Sequence, residues 1–271
     1  MRESPSKKRP HIKSATANLE FNKRCIDLGC NPESVWVGGY VDYQWDRLQK
    51  LLNAYGVNPS GLDVLEFGSN VGASSIVFAC LGARVTAVDV TPEWISIARL
   101  NAARYGIENI NFVLVADTRE LPFNDVSFDL INCASVLEYV APSHLLDVQH
   151  EIDRVIKLGG RIVVTGTSNR IWPKEVHSHR WLVNYLPRCI DQWLGGSWER
   201  GVWPWEIRYG FGSQYLNLDA GDGGCSFLAA RDGLEGFGGF RRVVAKAAGM
   251  LKIGPGMLGH SMSCVLEKRA Q

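Results

Sequence analysis

Between Leu62 and Ser168, short apolar runs alternate with amphipathic stretches, and few folds tolerate that alternation. The runs "LDVLEF", "RVTAVDV", "INFVLVA", "FDLINCA" and "RIVVTGTS" read as buried strands. "VGASSIVFACLGA", "TPEWISIARLNAARYG" and "LLDVQHEIDRVIKLGG" read as helices between them. In the second of these helices Thr91 suits the N-cap, Pro92 the first helical position, Glu93 the dipole and Gly106 the stop. Upstream, "VDYQWDRLQKLLNAYG" places Trp45, Leu48, Leu51 and Leu52 on one helical face. Buried strands alternating with such helices predict a parallel sheet covered on both faces. In sheets of this kind ligands bind beyond the carboxyl ends of the strands, where strand order reverses.

The alternation stops after Ser168. Residues 169–225 hold six of the nine tryptophans, Trp172, Trp181, Trp193, Trp198, Trp203 and Trp205, and read as an insertion after strand 5 that forms a lid over a substrate pocket or, read blandly, whose tryptophans form a small core of its own. Beyond it "GFRRVVA" and "SMSCVLEK" read as two further strands; no crossover helix is evident between them, so they are expected to pair antiparallel. The expectation is therefore an α/β, Rossmann-like, seven-stranded mixed sheet with helices on both faces and an antiparallel last strand. Residues 1–30 are polar and read as a flexible segment, with 31–271 as one domain. Net charge is +1, which gives no reason to expect a nucleic-acid partner. The seven cysteines are odd in number and follow no framework, so they read as thiols in a reducing compartment. No apolar run is long enough to span a bilayer and no leader-like core is present, so the expected location is cytoplasmic, without stable membrane insertion. No CxxC or HExxH occurs, and no metal is expected.

The stretch "VLEFGSNVGASS" puts a glycine turn between the first strand and its helix. A helix N-terminus favours an anionic group, and Gly68 and Gly72 permit a sharp bend and close approach. Asp89, at the end of the second strand, can accept hydrogen bonds from both hydroxyls of a ribose. A dinucleotide also fits these features. Against it, Asn70 replaces the glycine that makes room for a pyrophosphate, and Glu66 adds a negative charge suited to an ammonium. Carboxylate, ammonium and ribose occur together in S-adenosylmethionine. Read blandly, Glu66 is a partly exposed strand-end acid and Asp89 a helix-capping residue.

With "VLEFGSNVG", "VTAVDVTPEWISIAR", "ADTRELPFNDVSFDLI", "SVLEYV" and "EIDRVIKLGGRIVVTG" in order over about residues 62–167, the chain resembles the class I S-adenosylmethionine-dependent methyltransferases, particularly the small-molecule group that includes the ubiquinone/menaquinone methyltransferases. The resemblance implies that Glu66, Gly68, Ser69, Asn70 and Gly72 surround the methionine part. It further implies Asp89 on the ribose, Val90 against the adenine, Asp117 on the adenine amino group with Thr118 beside it, and Cys133 with Ala134 facing the sulfonium. The family often carries another glycine at Asn70 and a histidine at Glu138 or Tyr139; this chain departs at both places.

After the fifth strand, "SNRIWPKEVHSHRWLVNYLP" holds Glu175, His177 and His179. Its Pro173, His177, Trp181 and Pro187 loosely resemble a Pro-x-x-x-His arrangement of small-molecule relatives. His177 then reads as general base or polar anchor for the acceptor, or blandly as a residue that holds the insertion in place. Before the first strand, the resemblance implies a segment folded over the methionine end, with Tyr40 or Tyr43 as its aromatic residue; read blandly, both belong to ordinary helix packing. The implied activity is methyl transfer to a small acceptor, aromatic or apolar, with oxygen the leading atom. The alternatives are an NAD-dependent oxidoreductase and a non-catalytic S-adenosylmethionine-binding module.

Overall fold

A computed structural model describes residues 8–187, 189–190, 200–232, 240–251 and 253–270, with only the backbone of Phe240 and Arg241. Trp193 and Trp198 lie outside the described residues. Seven strands form one sheet in the order β3-β2-β1-β4-β5-β7-β6. They are β1 Asp63–Phe67, β2 Arg84–Asp89, β3 Ile110–Leu114, β4 Phe128–Ala134, β5 Ile156–Ser168, β6 Tyr215–Asn217 and β7 Ser261–Lys268. β1 to β5 pair parallel, while β7 is antiparallel to both β5 and β6. The mixed sheet and its antiparallel last strand are as the sequence implied. Strand order reverses between β1 and β4, where Glu66 stands opposite Asn132 in the register.

Alternation along the central strands divides the core in two. Val64, Leu130 and Val163 face one side, with helices α1 (Ala15–Asp27), α2 (Tyr40–Ala54), α3 (Ala73–Cys80) and α4 (Pro92–Arg104) supplying Phe21, Trp45, Ile76 and Ile97. Leu65, Ile131 and Ile162 face the other, packed with Val148 and Ile152 of α5 (Leu145–Val155) and Phe211 of α6 (Pro204–Phe211). Burying such side chains stabilises the fold by roughly 1.5–3 kcal/mol each relative to exposure.

Four expectations need correction. The segment 1–30 is not loose throughout: α1 starts at Ser14, whose hydroxyl accepts from the Ala17 N–H, and buries Phe21 and Cys25, four apart on one face. The backbone N–H groups of Lys13 and Ser14 donate to the Arg104 carbonyl, which fastens α1 to α4. Helix α5 ends at Val155, and "IKLGG" opens β5 instead. "GFRRVVA" is not a strand, since Phe240–Met250 forms helix α9. Gly249 allows close packing there: a Cβ on it would lie 1.8 Å from the Gly223 carbonyl oxygen. The sixth strand is Tyr215–Asn217, inside the segment expected to be lid, and leads into the short helices α7 (Leu218–Gly221) and α8 (Cys225–Ala230). The described residues of 169–225 are thus a loop followed by helix α6, part of the sheet edge and helix α7.

Candidate functional site

The turn after β1 closes on itself. Gly68, Asn70 and Gly72 all have positive φ (82°, 46° and 73°), so asparagine serves at the place where a further glycine was expected. A Cβ on Gly68 would meet Val136 at 2.5 Å, which brings the segment after β4 directly onto the turn. The N–H groups of Gly68 and Ser69 donate to the Val88 carbonyl, and that of Gly72 to the Ser69 carbonyl. Those of Asn70 and Val71 go to the Asp89 carboxylate and the Asn70 side chain. The turn's own N–H groups are therefore spent on its shape. The Ser69 hydroxyl is buried with no partner among the described residues, a polar atom available to a ligand.

Glu66, one residue before the end of β1, is 2% exposed and lies on the α2–α3 side of the sheet, the side Val64 faces. Both its oxygens accept from Asn132 Nδ2 at 3.0 Å across the reversal point. Burial pushes its carboxyl up to about 8, against the opposing hydrogen bonds from Asn132 and Ser74. Among the described residues no cation pairs with it. A ligand ammonium would fill that role. Asn132 escaped the sequence reading; its signal was one amide inside the apolar run "FDLINCA".

Asp89 is 8% exposed, with one oxygen accepting from the Asn70 N–H (2.8 Å) and the other from the Thr91 N–H (3.0 Å). Each oxygen keeps a lone pair, so the carboxylate is both a turn-former and a fixed acceptor for two hydroxyls. Thr91 occupies the N-cap of α4, but its side chain makes no capping bond. Val90 is exposed beside Asp89 and Thr118 is half-buried. Asp117 is partly exposed and bonded to the Arg119 guanidinium at 2.6 Å, which holds its carboxyl down at about 2. A base amino group there would share the carboxylate with Arg119. Cys133 points the other way: its thiol is enclosed in the α5-side core, and burial pushes it far up. Residues alternate along β4, so Asn132, not Cys133, faces the Glu66 side.

Over this end lies an aromatic cluster. Tyr43 packs edge-on against Trp36 (centroids 5.0 Å apart) and beneath Arg47. Tyr40 is the ring whose hydroxyl feels the Glu66 charge; burial pushes it up to about 12, with Gln44 hydrogen-bonded to it. Of the two candidates Tyr40 and Tyr43, Tyr40 is thus the one placed toward Glu66.

Beyond β4 and β5 the chain brings together residues distant in sequence. Glu138, in the 3-10 turn Leu137–Tyr139, has a side chain with no exposure. Its Oε1 lies 3.4 Å from His177 Nε2 and accepts from the Ser168 N–H at 3.3 Å. Ser168 also donates its hydroxyl to Glu175 Oε1 at 3.0 Å. Glu175 Oε2 accepts from the backbone N–H groups of His177 (2.8 Å) and Ser178. Burial pushes the Glu175 carboxyl up, but these hydrogen bonds win and hold it below its ordinary value. Tyr139 packs on the His177 ring at 5.5 Å. The sequence marked Glu138 only as a departure from a pattern; nothing in it announced a pairing across 39 residues. Of the tryptophans, Trp203 stacks on Trp205 at 4.5 Å, and Trp172 donates its indole N–H to the Leu258 carbonyl. Among the described residues, no group of three or more His, Cys, Asp or Glu is placed to hold a metal ion, and no helix is long and apolar enough to cross a membrane.

A family model described as a methyltransferase domain matches residues 65–164, which run from β1 into β5 and include the glycine turn, Asp89 and Glu138. A demethylmenaquinone methyltransferase of Tropheryma whipplei is 38% identical over 105 residues, 39% of this chain and 41% of that protein. A ubiquinone biosynthesis O-methyltransferase of Xylella fastidiosa is 33% identical over 141 residues, 51% of this chain and 55% of that protein. The chain thus spans about half the length of the curated relatives it matches. A solved structure from Galdieria sulphuraria, provisionally assigned as a sarcosine dimethylglycine methyltransferase, superposes over 85% of each chain with a TM-score of 0.51 at 15% identity, a likeness of fold alone. Sheet order, the glycine turn with its two acids, and this matched stretch together show that the chain carries a methyltransferase domain of the S-adenosylmethionine-dependent family.

Proposed function

We propose that this protein transfers a methyl group from S-adenosylmethionine to a hydroxyl oxygen of a small aromatic or apolar acceptor. One observation carries the choice of oxygen: a histidine backed by a buried carboxylate, His177 and Glu138, stands at the carboxyl ends of β4 and β5. Val136 sets the same segment against the glycine turn. A hydroxyl is a poor nucleophile until it loses its proton, and an imidazole within reach removes it.

The residues present fit the methyl donor. Glu66 and Ser69 would hold the methionine end, Asp89 the ribose hydroxyls, Val90 the face of the adenine, and Asp117 with Thr118 its amino edge. When bound, the group supplies a methyl on a positively charged sulfur. His177 takes the acceptor's proton, and Tyr139 and the aromatic cluster of Trp36, Tyr40 and Tyr43 offer flat apolar surface that keeps water from the reacting atoms. A pyrophosphate suits the turn poorly, because its N–H groups are already committed and Glu66 faces it.

The test is calorimetry on purified protein with S-adenosylmethionine, S-adenosylhomocysteine and NAD, with Asp89→Ala as control. Micromolar binding of the first two, lost in the variant and absent for NAD, supports the reading. Tighter binding of NAD, or no binding of the methyl donor, overturns it. Screening hydroxylated aromatics by mass spectrometry, with His177→Ala alongside, then tests the acceptor atom; a gain of 14 Da on nitrogen or carbon substrates alone removes oxygen from the proposal.

A further inference from the structure

We infer that Glu138 is the positioning residue for His177: it fixes which ring nitrogen carries hydrogen and holds the imidazolium once the ring has taken the acceptor's proton. The inference rests on the reading of His177 given above.

Glu138 is shut away from solvent, and its Oε2 has no partner among the described residues. A buried carboxylate with an unmatched oxygen is costly unless a positive charge forms beside it. Among the described residues, His177 is the cation-forming side chain within ion-pair distance of Glu138. Because Nε2 is the ring nitrogen at 3.4 Å from Oε1, we place the neutral ring's hydrogen on Nε2 and its basic lone pair on Nδ1. Proton uptake then places a full positive charge 3.4 Å from a carboxylate with no exposure, where the attraction is stronger than between two groups in water. In the transfer, the acceptor's O–H proton goes to Nδ1 and the oxygen's electron pair forms the bond to the methyl carbon. The carbon–sulfur pair stays with sulfur.

The surroundings hold the ring in this pose. Glu175 grips the backbone N–H groups of His177 and Ser178, so the loop cannot rotate the ring away. Ser168, the last residue of β5, donates its N–H to Glu138 and its hydroxyl to Glu175, which locks the two acids to one strand end. Among the described residues, the charged or titratable groups around His177 include Glu138 from the turn after β4, Tyr139 beside it, and Glu175, which holds the His177 backbone N–H.

Histidine-selective nitrogen NMR on the full chain tests this without any acceptor, with the His177 signal assigned by His177→Gln. In the wild type the Nε2–H form should predominate, and in Glu138→Gln the His177 titration should move to lower pH by about one unit or more. Glu138→Asp should recover part of that shift. A predominant Nδ1–H form in the wild type overturns the inference, and so does an unmoved titration in a folded Glu138→Gln. The wild-type tautomer alone decides if Glu138→Gln does not fold. Calorimetry with S-adenosylmethionine on the same samples separates the two ideas. Wild type that shows the coupling but binds no methyl donor sinks the functional reading; wild type that binds it without the coupling sinks only the role of Glu138. With an acceptor in hand, Glu138→Gln should lower kcat tenfold or more with KM little changed.

Discussion

The half of the sheet built from β1, β2 and β3 and the segment from Asn169 to Asp232 solve the same problem of satisfying a buried backbone by opposite means. In the first, ladders, helix ends and the glycine turn pair neighbouring groups; the Asp89 carboxylate closes the turn from 19 residues away. In the second, two buried arginines reach across the loop. Arg170, 4% exposed, donates to the carbonyls of Asn184 and Leu186. Arg200, 3% exposed, donates to those of Val183, Leu186 and Pro187. A guanidinium with five donors in a fixed fork substitutes for a sheet where the chain has none. The proposed cofactor side is therefore built from local order, and the loop of the proposed acceptor side is held by a few long side chains.

The largest expected effect follows directly. Arg200→Met removes three charge-assisted hydrogen bonds, to the carbonyls of Val183, Leu186 and Pro187, and should cost about 3 kcal/mol, with the loss centred on the loop after β5. Denaturant unfolding gives the total, and hydrogen exchange its location. Faster exchange spread evenly over β1 to β3 would break the contrast between the two regions.

Asp89→Ala comes next. It removes the acceptor for the Asn70 and Thr91 N–H groups together with the fixed partner for the ribose. Affinity for S-adenosylmethionine should fall at least a hundredfold by calorimetry, about 2.7 kcal/mol. Asp117→Asn, whose carboxylate is already shared with Arg119, should cost at most tenfold. If the two lose equally, the buried and exposed ends of the site are not energetically distinct.

Glu66 supplies a pH dependence. Folding raises its carboxyl from near 4.5 to about 8, so between these values the folded chain holds a proton that the unfolded chain has released. This contribution to stability is complete below about pH 4.5 and is lost as pH rises through 8, by roughly 1.4 kcal/mol per unit. Glu66→Gln should flatten that slope in urea titrations at pH 5, 6, 7 and 8. An ammonium prefers the ionised acid, so affinity for S-adenosylmethionine should climb toward pH 8 in the wild type and much less in the variant. Equal slopes in both proteins would mean that Glu66 is not the linked group.

What could be read from the sequence follows the same division. The strands, the turn, and the places of Glu66 and Asp89 depend on periodicity and short spacing, and a single sequence shows both. Asn132 left a trace, one polar residue in an apolar strand. Glu138 meeting His177, the clamps of Arg170 and Arg200, and the placing of β6 at Tyr215–Asn217 depend on distant segments arriving together. The error at "GFRRVVA" has the same origin. Val243 and Val244 favour a strand, but Ala245 and Ala248 are buried three apart and Gly249 lies on the backbone of Gly223, so tertiary packing overrides the local preference.

The smallest effect sharpens this lesson at two helix starts that look alike in sequence. Ser14 and Thr91 are both favoured N-cap types. Only Ser14 makes the bond, accepting from the Ala17 N–H at 3.1 Å, while the turn at Thr91 is held by Asp89 through the Thr91 backbone N–H at 3.0 Å. Ser14→Ala should therefore cost about 1 kcal/mol in thermal or urea unfolding. Thr91→Ala should cost less than about 0.5 kcal/mol, because no capping bond is lost. The carboxylate assigned to the ribose also fixes the backbone just ahead of α4, so the hydroxyl beside it is free of both tasks. A full capping penalty at Thr91 would show that Asp89 does not hold the start of α4 alone, and its assignment to the ribose would then lose the rigidity on which it depends.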